Sequence, residues 1–261
     1  MWRMTTVKIL LTAGVIVAAG ALSPAAKAAE NCNNLPGNAA LKTALKASVK
    51  PAGGPSNGGL GTHMWATVVN RAGTVCTVTF SGDKPGDQWP GSRVISAQKA
   101  NTANAFSLPG MALSTANLWA ATQPGGSLYG LQHSNPVNTK AAYAGKFEDY
   151  GSKTDPLTGH KIGGINVFGG GLALYNKVGK LVGALGVSGN TSCADHNVAW
   201  RVRKKLKLHY IPKGVNPANN DDGIIYDLTG PDNQSKSGFG HPDCSNGEAA
   251  IAVEIGAGNK Q

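Results

Sequence analysis

Apolar and polar positions alternate with two different periods along the chain, and the periods change at glycines, prolines and asparagines. Two short apolar runs, residues 172–175 and 181–187, flank the turn from Asn176 to Gly179 and predict a β-hairpin. A second pair, residues 64–69 and 75–81, flanks Asn70-Arg71-Ala72-Gly73 and predicts another. Leu41, Ala44, Leu45, Ser48 and Val49 recur at i, i+3, i+4, i+7 and i+8, the spacing of an amphipathic helix that begins at Gly37 or Asn38 and stops at Pro51. Ser92 is read as the cap of a helix over 93–106, with the small residues Ser96, Ala97, Ala100 and Ala103 on a face that would lie close to a sheet. Ile95, Lys99, Thr102 and Phe106 share another face of that helix. A third helix follows Ser192, where Ser192 and Asp195 fit a capping pattern and Val198, Ala199, Val202 and Leu206 form the apolar stripe.

The resulting order is helix, strand, strand, helix, insertion, strand, strand, helix, tail. Hairpins separated by helices predict an α+β fold, with one antiparallel sheet and helices packed on it. The insertion, about 108–162, and the tail, 209–261, are rich in Gly, Pro, Asn and Ser and have little periodicity. Loops of that length are usually functional or disordered, so they read as lids around a core at 29–208. The strand 181–187 and the residues after it carry Gly183, Gly186 and Gly189, which predicts close approach by a second backbone or by a ligand. The chain holds 36 glycines, close to twice the usual share of about 7%.

Residues 1–28 read as a secretory signal peptide: Arg3 and Lys8, an apolar run over 9–22, then Ala26-Lys27-Ala28 as a cleavage site. The run is too short to span a membrane, and no later run approaches the required ~18 residues. The chain is therefore expected to be secreted or periplasmic, with no membrane span after cleavage. Four cysteines, Cys32, Cys76, Cys193 and Cys244, follow the leader. An even count in an oxidising compartment predicts two disulfides, with three pairings open. Cys193 with Cys244 would fasten the tail to the third helix. The formal charge is +10, but apart from residues 201–207 the cations are scattered. That one run complements a helix C-terminus, so nucleic acid is not an expected partner.

Candidate chemistry is sparse. The sequence contains no C-x-x-C, no H-E-x-x-H and no G-x-x-x-x-G-K-[ST], so it offers no motif for a thioredoxin-like redox site, zinc hydrolysis or a nucleotide loop, and Gly186-Val187-Ser188-Gly189 lacks the G-x-S-x-G spacing of a hydrolase elbow. His196 shares a helix face with Trp200 and Arg203, apart from the apolar stripe, and is expected in a surface or lid contact. His133 lies in a turn-like Gln-His-Ser-Asn-Pro segment, and His241, before Pro242, is expected to bond within the tail.

Two segments resemble one family. Ser96-Ala97-Gln98-Lys99-Ala100-Asn101-Thr102-Ala103 is similar to the S-x-x-K-A-x-T-A helix of GlcG/HbpS-type domains, and residues 183–189, with the helix after them, are similar to the end of such domains. The resemblance implies a profilin-like sandwich, a homo-oligomer, and in some members binding of haem (heme) or a related planar cofactor. The ligand site would use Lys99 and Thr102, the Ser188–Gly189 turn before the third helix, Arg93 and Arg203 as cations for an anionic edge, and His133 or His196 as the metal donor. The function implied is an exported carrier or sensor accessory for a small planar or anionic ligand. The alternatives are an enzyme acting on a small organic acid or redox substrate in the same cleft, and an oligomeric structural or interaction protein.

Overall fold

The computed structural model describes residues 31–49 and 56–260. The expected signal peptide lies outside the described residues. The elements are α1 (Asn38–Val49), β1 (Trp65–Asn70), β2 (Val75–Phe80), α2 (Ser92–Phe106), the single helical turn α3 (Thr139–Ala142), β3 (Gly171–Tyr175), β4 (Leu181–Ser188), α4 (Ser192–Lys205), β5 (Ile224–Tyr226), β6 (Leu228–Thr229), β7 (Gln234–Ser235), α5 (Glu248–Glu254) and β8 (Gly258–Lys260).

Four strands form one antiparallel sheet in the order β2-β1-β4-β3. Both predicted hairpins are present, and the central pair joins β1 to β4 from Trp65↔Ser188 to Asn70↔Gly183. Alternation along β1 divides the core in two. Trp65 and Val69 point towards α2 and meet Val94, Ala97, Ala100 and Ala103. Ala66 and Val68 point the other way and meet Leu41 and Leu45 of α1 and Val198, Ala199 and Val202 of α4. The fold is thus α+β, with helices on both faces of the sheet. Coverage on both faces explains why β1 and β3 are buried at every position.

The glycines of β4 let backbones meet. A Cβ on Gly186 would lie 1.9 Å from the Ser96 carbonyl oxygen of α2, and one on Gly183 would lie 2.1 Å from the Val69 oxygen of β1. Of the two explanations offered for these glycines, close backbone approach is the one the structure displays.

Two helix starts differ from expectation. Ser92 and Ser192 are the first helical residues, and the residues at the caps are Gly91 and Thr191. Thr191 Oγ1 accepts from the Ala194 N–H and donates to Glu248 of α5. Asp195 does not complete a capping box; it turns inward, as described below.

The insertion and the tail are ordered by what they cover. Within the insertion, Ala142, Leu157 and Ile162 join the α2 core. The tail places Ile224, Tyr226, Ala249, Ala252 and Ala257 against α4. Its β5 pairs in parallel with β8, and β6 pairs with β7. These short elements carry too few residues to show a period, which is why the sequence read them as loop. Cys32 bonds Cys76 and Cys193 bonds Cys244, with Cα separations of 5.6 and 6.1 Å. The first ties the N-terminal segment to β2; the second ties the tail to the start of α4.

Candidate functional site

The face of α2 expected to line a cleft is closed. The end of the insertion crosses it: the Gly164 carbonyl accepts from Asn101 Nδ2 at 2.8 Å, and the Asn166 N–H donates to Thr102 Oγ1 at 3.0 Å. Thr102 in turn donates to the Gln98 carbonyl of its own helix. Lys99 is fully buried and pairs with Asp195 at 2.7 Å, while also donating to the Val187 carbonyl at 3.2 Å. The other Asp195 oxygen accepts from the Asn190 N–H at 2.9 Å. Ser188 is buried at the end of β4, and a Cβ on Gly189 would lie 2.8 Å from the His63 carbonyl oxygen. These four residues do not line an open site. A buried ion pair and a crossing segment fill the space that the sequence reading left for a ligand. Burial lowers the Lys99 pKa, and burial, opposed by Lys99, pushes Asp195 up to about 6.

The two expected cations are also committed. Arg93 grips Asp155 of the insertion, with Nε at 2.9 Å from Oδ2, donates to the Ala142 carbonyl, and stacks 3.6 Å from the Tyr150 ring centre. Arg203 makes two parallel bonds to Asp222 at 2.6 and 2.7 Å and lies over Trp200. The expected grouping of His196, Trp200 and Arg203 on one face is real, but the tail encloses it, and His196 is fully buried rather than at the surface. Its Nε2 donates to the Ala257 carbonyl at 3.1 Å, which leaves Nδ1 as a buried lone pair without a partner. Burial, with Arg203 next in size, holds its pKa down at about 3. His241 bonds within the tail as expected: Nδ1 donates to the Pro242 carbonyl, and Nε2 accepts from the Gly169 N–H. Burial holds it at about 4. His133 is exposed on a turn of the insertion. Among the described residues, no group of three or more His, Cys, Asp or Glu side chains is placed to hold a metal ion.

An open groove lies instead at the far end of α4. It has a volume of about 370 Å³ and is lined by Trp200, Lys204, His209, Ile211 and Ile255, among others. Lys207, at φ 56°, turns the chain back after the helix. Tyr175 of β3 then holds the returning strand from both sides of His209: its N–H donates to the Leu208 carbonyl at 2.9 Å and its carbonyl accepts from Tyr210. The His209 ring stacks on Tyr210, with centroids 4.5 Å apart. Burial, then Arg203 and Lys204, lower its pKa, which favours the neutral ring. Its Nδ1 is buried and without a hydrogen-bond partner. Sequence reasoning missed His209. The available signal was its place directly after the basic run 201–207, a run that was assigned wholly to the helix end.

The family model described as haem degrading protein, HbpS-like, matches residues 57–203. Among solved structures, PduOC in complex with heme is 21% identical, with a TM-score of 0.45, over 66% of this chain and 94% of that one. The Klebsiella pneumoniae protein ORFY is 23% identical, with a TM-score of 0.43, over 65% of this chain and 88% of that one. HbpS itself is 19% identical, with a TM-score of 0.38, over 65% and 88%. No curated protein matches. The family match covers more than half of the sequence, and its span runs from the loop before β1 to Arg203 of α4, the whole four-stranded sheet with α2 and most of α4, so the chain belongs to the HbpS-like family.

Proposed function

We propose that this is an exported haem-binding protein acting as a carrier or sensor accessory. The carrying observation is the match to a family described by haem degradation. The two disulfides support an oxidising compartment, and therefore the reading of residues 1–28 as a leader that is removed.

The residues of the α4 groove fit the group. Haem iron takes a histidine, and His209 is a neutral one on a fixed backbone. Trp200, Ile211 and Ile255 supply apolar walls, and Lys204 supplies a cation for a propionate. When bound, haem would supply iron for redox chemistry or for sensing a small ligand. His209 replaces His133 and His196 as the first donor to test, because the latter two are respectively exposed and enclosed.

The experiment is a haemin titration of the purified protein followed in the Soret region, with His209→Ala, His133→Ala and His196→Ala beside the parent. A saturable shifted band at one haem per chain, lost in His209→Ala alone, is the expected result. An unchanged free-haemin spectrum in the parent overturns the reading. The family description favours a second reading, breakdown of the bound haem. Decay of the Soret band with release of iron after peroxide addition, absent with His209→Ala, would establish it. Homo-oligomerisation belongs to the same proposal and is read by light scattering with and without haemin.

A further inference from the structure

A second cleft lies elsewhere and has a different chemistry. It measures about 770 Å³ and lies between residues 119–127 of the insertion and residues 232–238 of the tail. Its chemistry comes from one indole (Trp119), three carboxamides (Gln123, Asn233 and Gln234), the Ser127 and Ser235 hydroxyls and the Asp232 carboxylate. Among the described residues, no lysine, arginine or histidine lines it, in a chain whose formal charge is +10. A site selected for an anion, whether propionate, phosphate or nucleic acid, would place a cation there. This lining favours a neutral ligand rich in hydroxyl groups. Carboxamides both donate and accept, as hydroxyls do, and a carboxylate accepts from paired hydroxyls. An indole offers a large apolar face to the C–H side of a sugar ring.

The walls are built to hold their shape. The Asp227 carboxylate, 1% exposed, accepts from Ser235 Oγ at 2.8 Å and from the Ser237 N–H at 2.6 Å. Ser235 Oγ accepts from the Gly238 and Gly240 N–H groups, closing the tail wall. The Ala120 N–H donates to the Gly240 carbonyl at 3.2 Å and joins the two walls at their base. On the insertion side, a Cβ on Gly126 would lie 2.3 Å from the Ala121 oxygen, so this loop is folded tightly on itself. The insertion wall lies within the family match, and the tail wall lies beyond residue 203, outside it.

We propose that the cleft between Trp119 and Gln234 binds a neutral carbohydrate chain. It shares no lining residue with the His209 groove, so either assignment can fail while the other stands. The test is calorimetric titration of the purified protein with cellohexaose, xylohexaose, laminarihexaose and chitohexaose. At least one should bind with a Kd of about 1 mM or tighter. Trp119→Ala should weaken that binding at least tenfold and Gln234→Ala at least threefold, with haemin binding unchanged in both. Gln234 is exposed on a short hairpin, so its variant remains informative if Trp119→Ala folds poorly. Absence of binding by all four sugars at about 10 mM overturns the proposal. So does parental affinity in Gln234→Ala together with a folded Trp119→Ala. Binding of a neutral glutamine- and proline-rich peptide, with no sugar bound, would assign the cleft to protein recognition and overturns it as well.

Discussion

Lys99 illustrates what one residue costs and contributes when its partner is 96 positions away. The pair with Asp195 is enclosed, and a lone charge left there would have nothing to offset its lost hydration. Lys99→Met or Asp195→Asn alone should therefore lower stability by about 3–5 kcal/mol in urea unfolding, whereas the double change should recover most of the loss. A double variant no more stable than the worse single one would remove the ion pair from this account. Acid stability is set by the buried histidines. Their folded pKa values lie below the ordinary 6.5, so the neutral rings stabilise the fold fully above pH 6.5, and that contribution is lost as pH falls towards 4 and 3. Asp195 works the other way, since a raised carboxyl pKa favours the fold as pH drops through about 6. His241→Asn isolates one histidine. Between pH 6.5 and 4, the parent should lose stability faster than this variant by up to about 1.4 kcal/mol per pH unit. Equal slopes in chemical denaturation would mean that His241 is already charged in the fold. The sequence placed Lys99 and Thr102 on one helix face correctly. What covers that face was not legible, because helical periodicity reports which residues are neighbours within an element and nothing about a loop segment arriving from residue 164.

Elements were more legible than sites. The four sheet strands and the helices α1, α2 and α4 have enough residues for a period to show, and their order alone predicts the antiparallel sheet. The glycines of β4 were legible as close contacts, though not as contacts with which partner. Gly186 sits where α2 crosses the sheet, and an added Cβ would lie 1.9 Å from the Ser96 oxygen and 2.6 Å from the Ala100 nitrogen. Neither atom can move without shifting the helix backbone. Gly186→Ala should therefore cost about 3 kcal/mol or more, at the upper end of overpacking penalties. Gly110→Ala, where nothing lies within 4 Å, is the control and should change the thermal midpoint little. If both variants melt alike, α2 does not rest on β4 as described. By contrast α5, at seven residues, and the three-residue strands β5 and β8 owe their form to the surface of α4 beneath them. A segment that is ordered mainly by tertiary contact leaves no local pattern to read.

At the scale of the molecule, the two disulfides divide a similar stabilisation between different tasks. They close loops of nearly equal length, with separations of 44 and 51 residues. In the chain-entropy model each contributes about 4 kcal/mol. Cys32–Cys76 joins the N-terminal segment to β2, away from both candidate clefts. Cys193–Cys244 fixes the tail, and the tail supplies Ile211 and Ile255 to the His209 groove and the carbonyl of Ala257 to His196. The pair Cys32→Ala/Cys76→Ala and the pair Cys193→Ala/Cys244→Ala should thus lose comparable stability in denaturant, while only the second weakens haemin binding and exposes residues 210–222 to limited proteolysis. His196, whose Nδ1 is a buried lone pair without a partner, would be uncovered by the same release. A second variant whose Soret band returns only with His196 intact would show that the tail selects between two histidines. Equal haemin binding in both disulfide variants would instead separate the groove from the tail, and would leave the Cys193–Cys244 bond a purely structural tie.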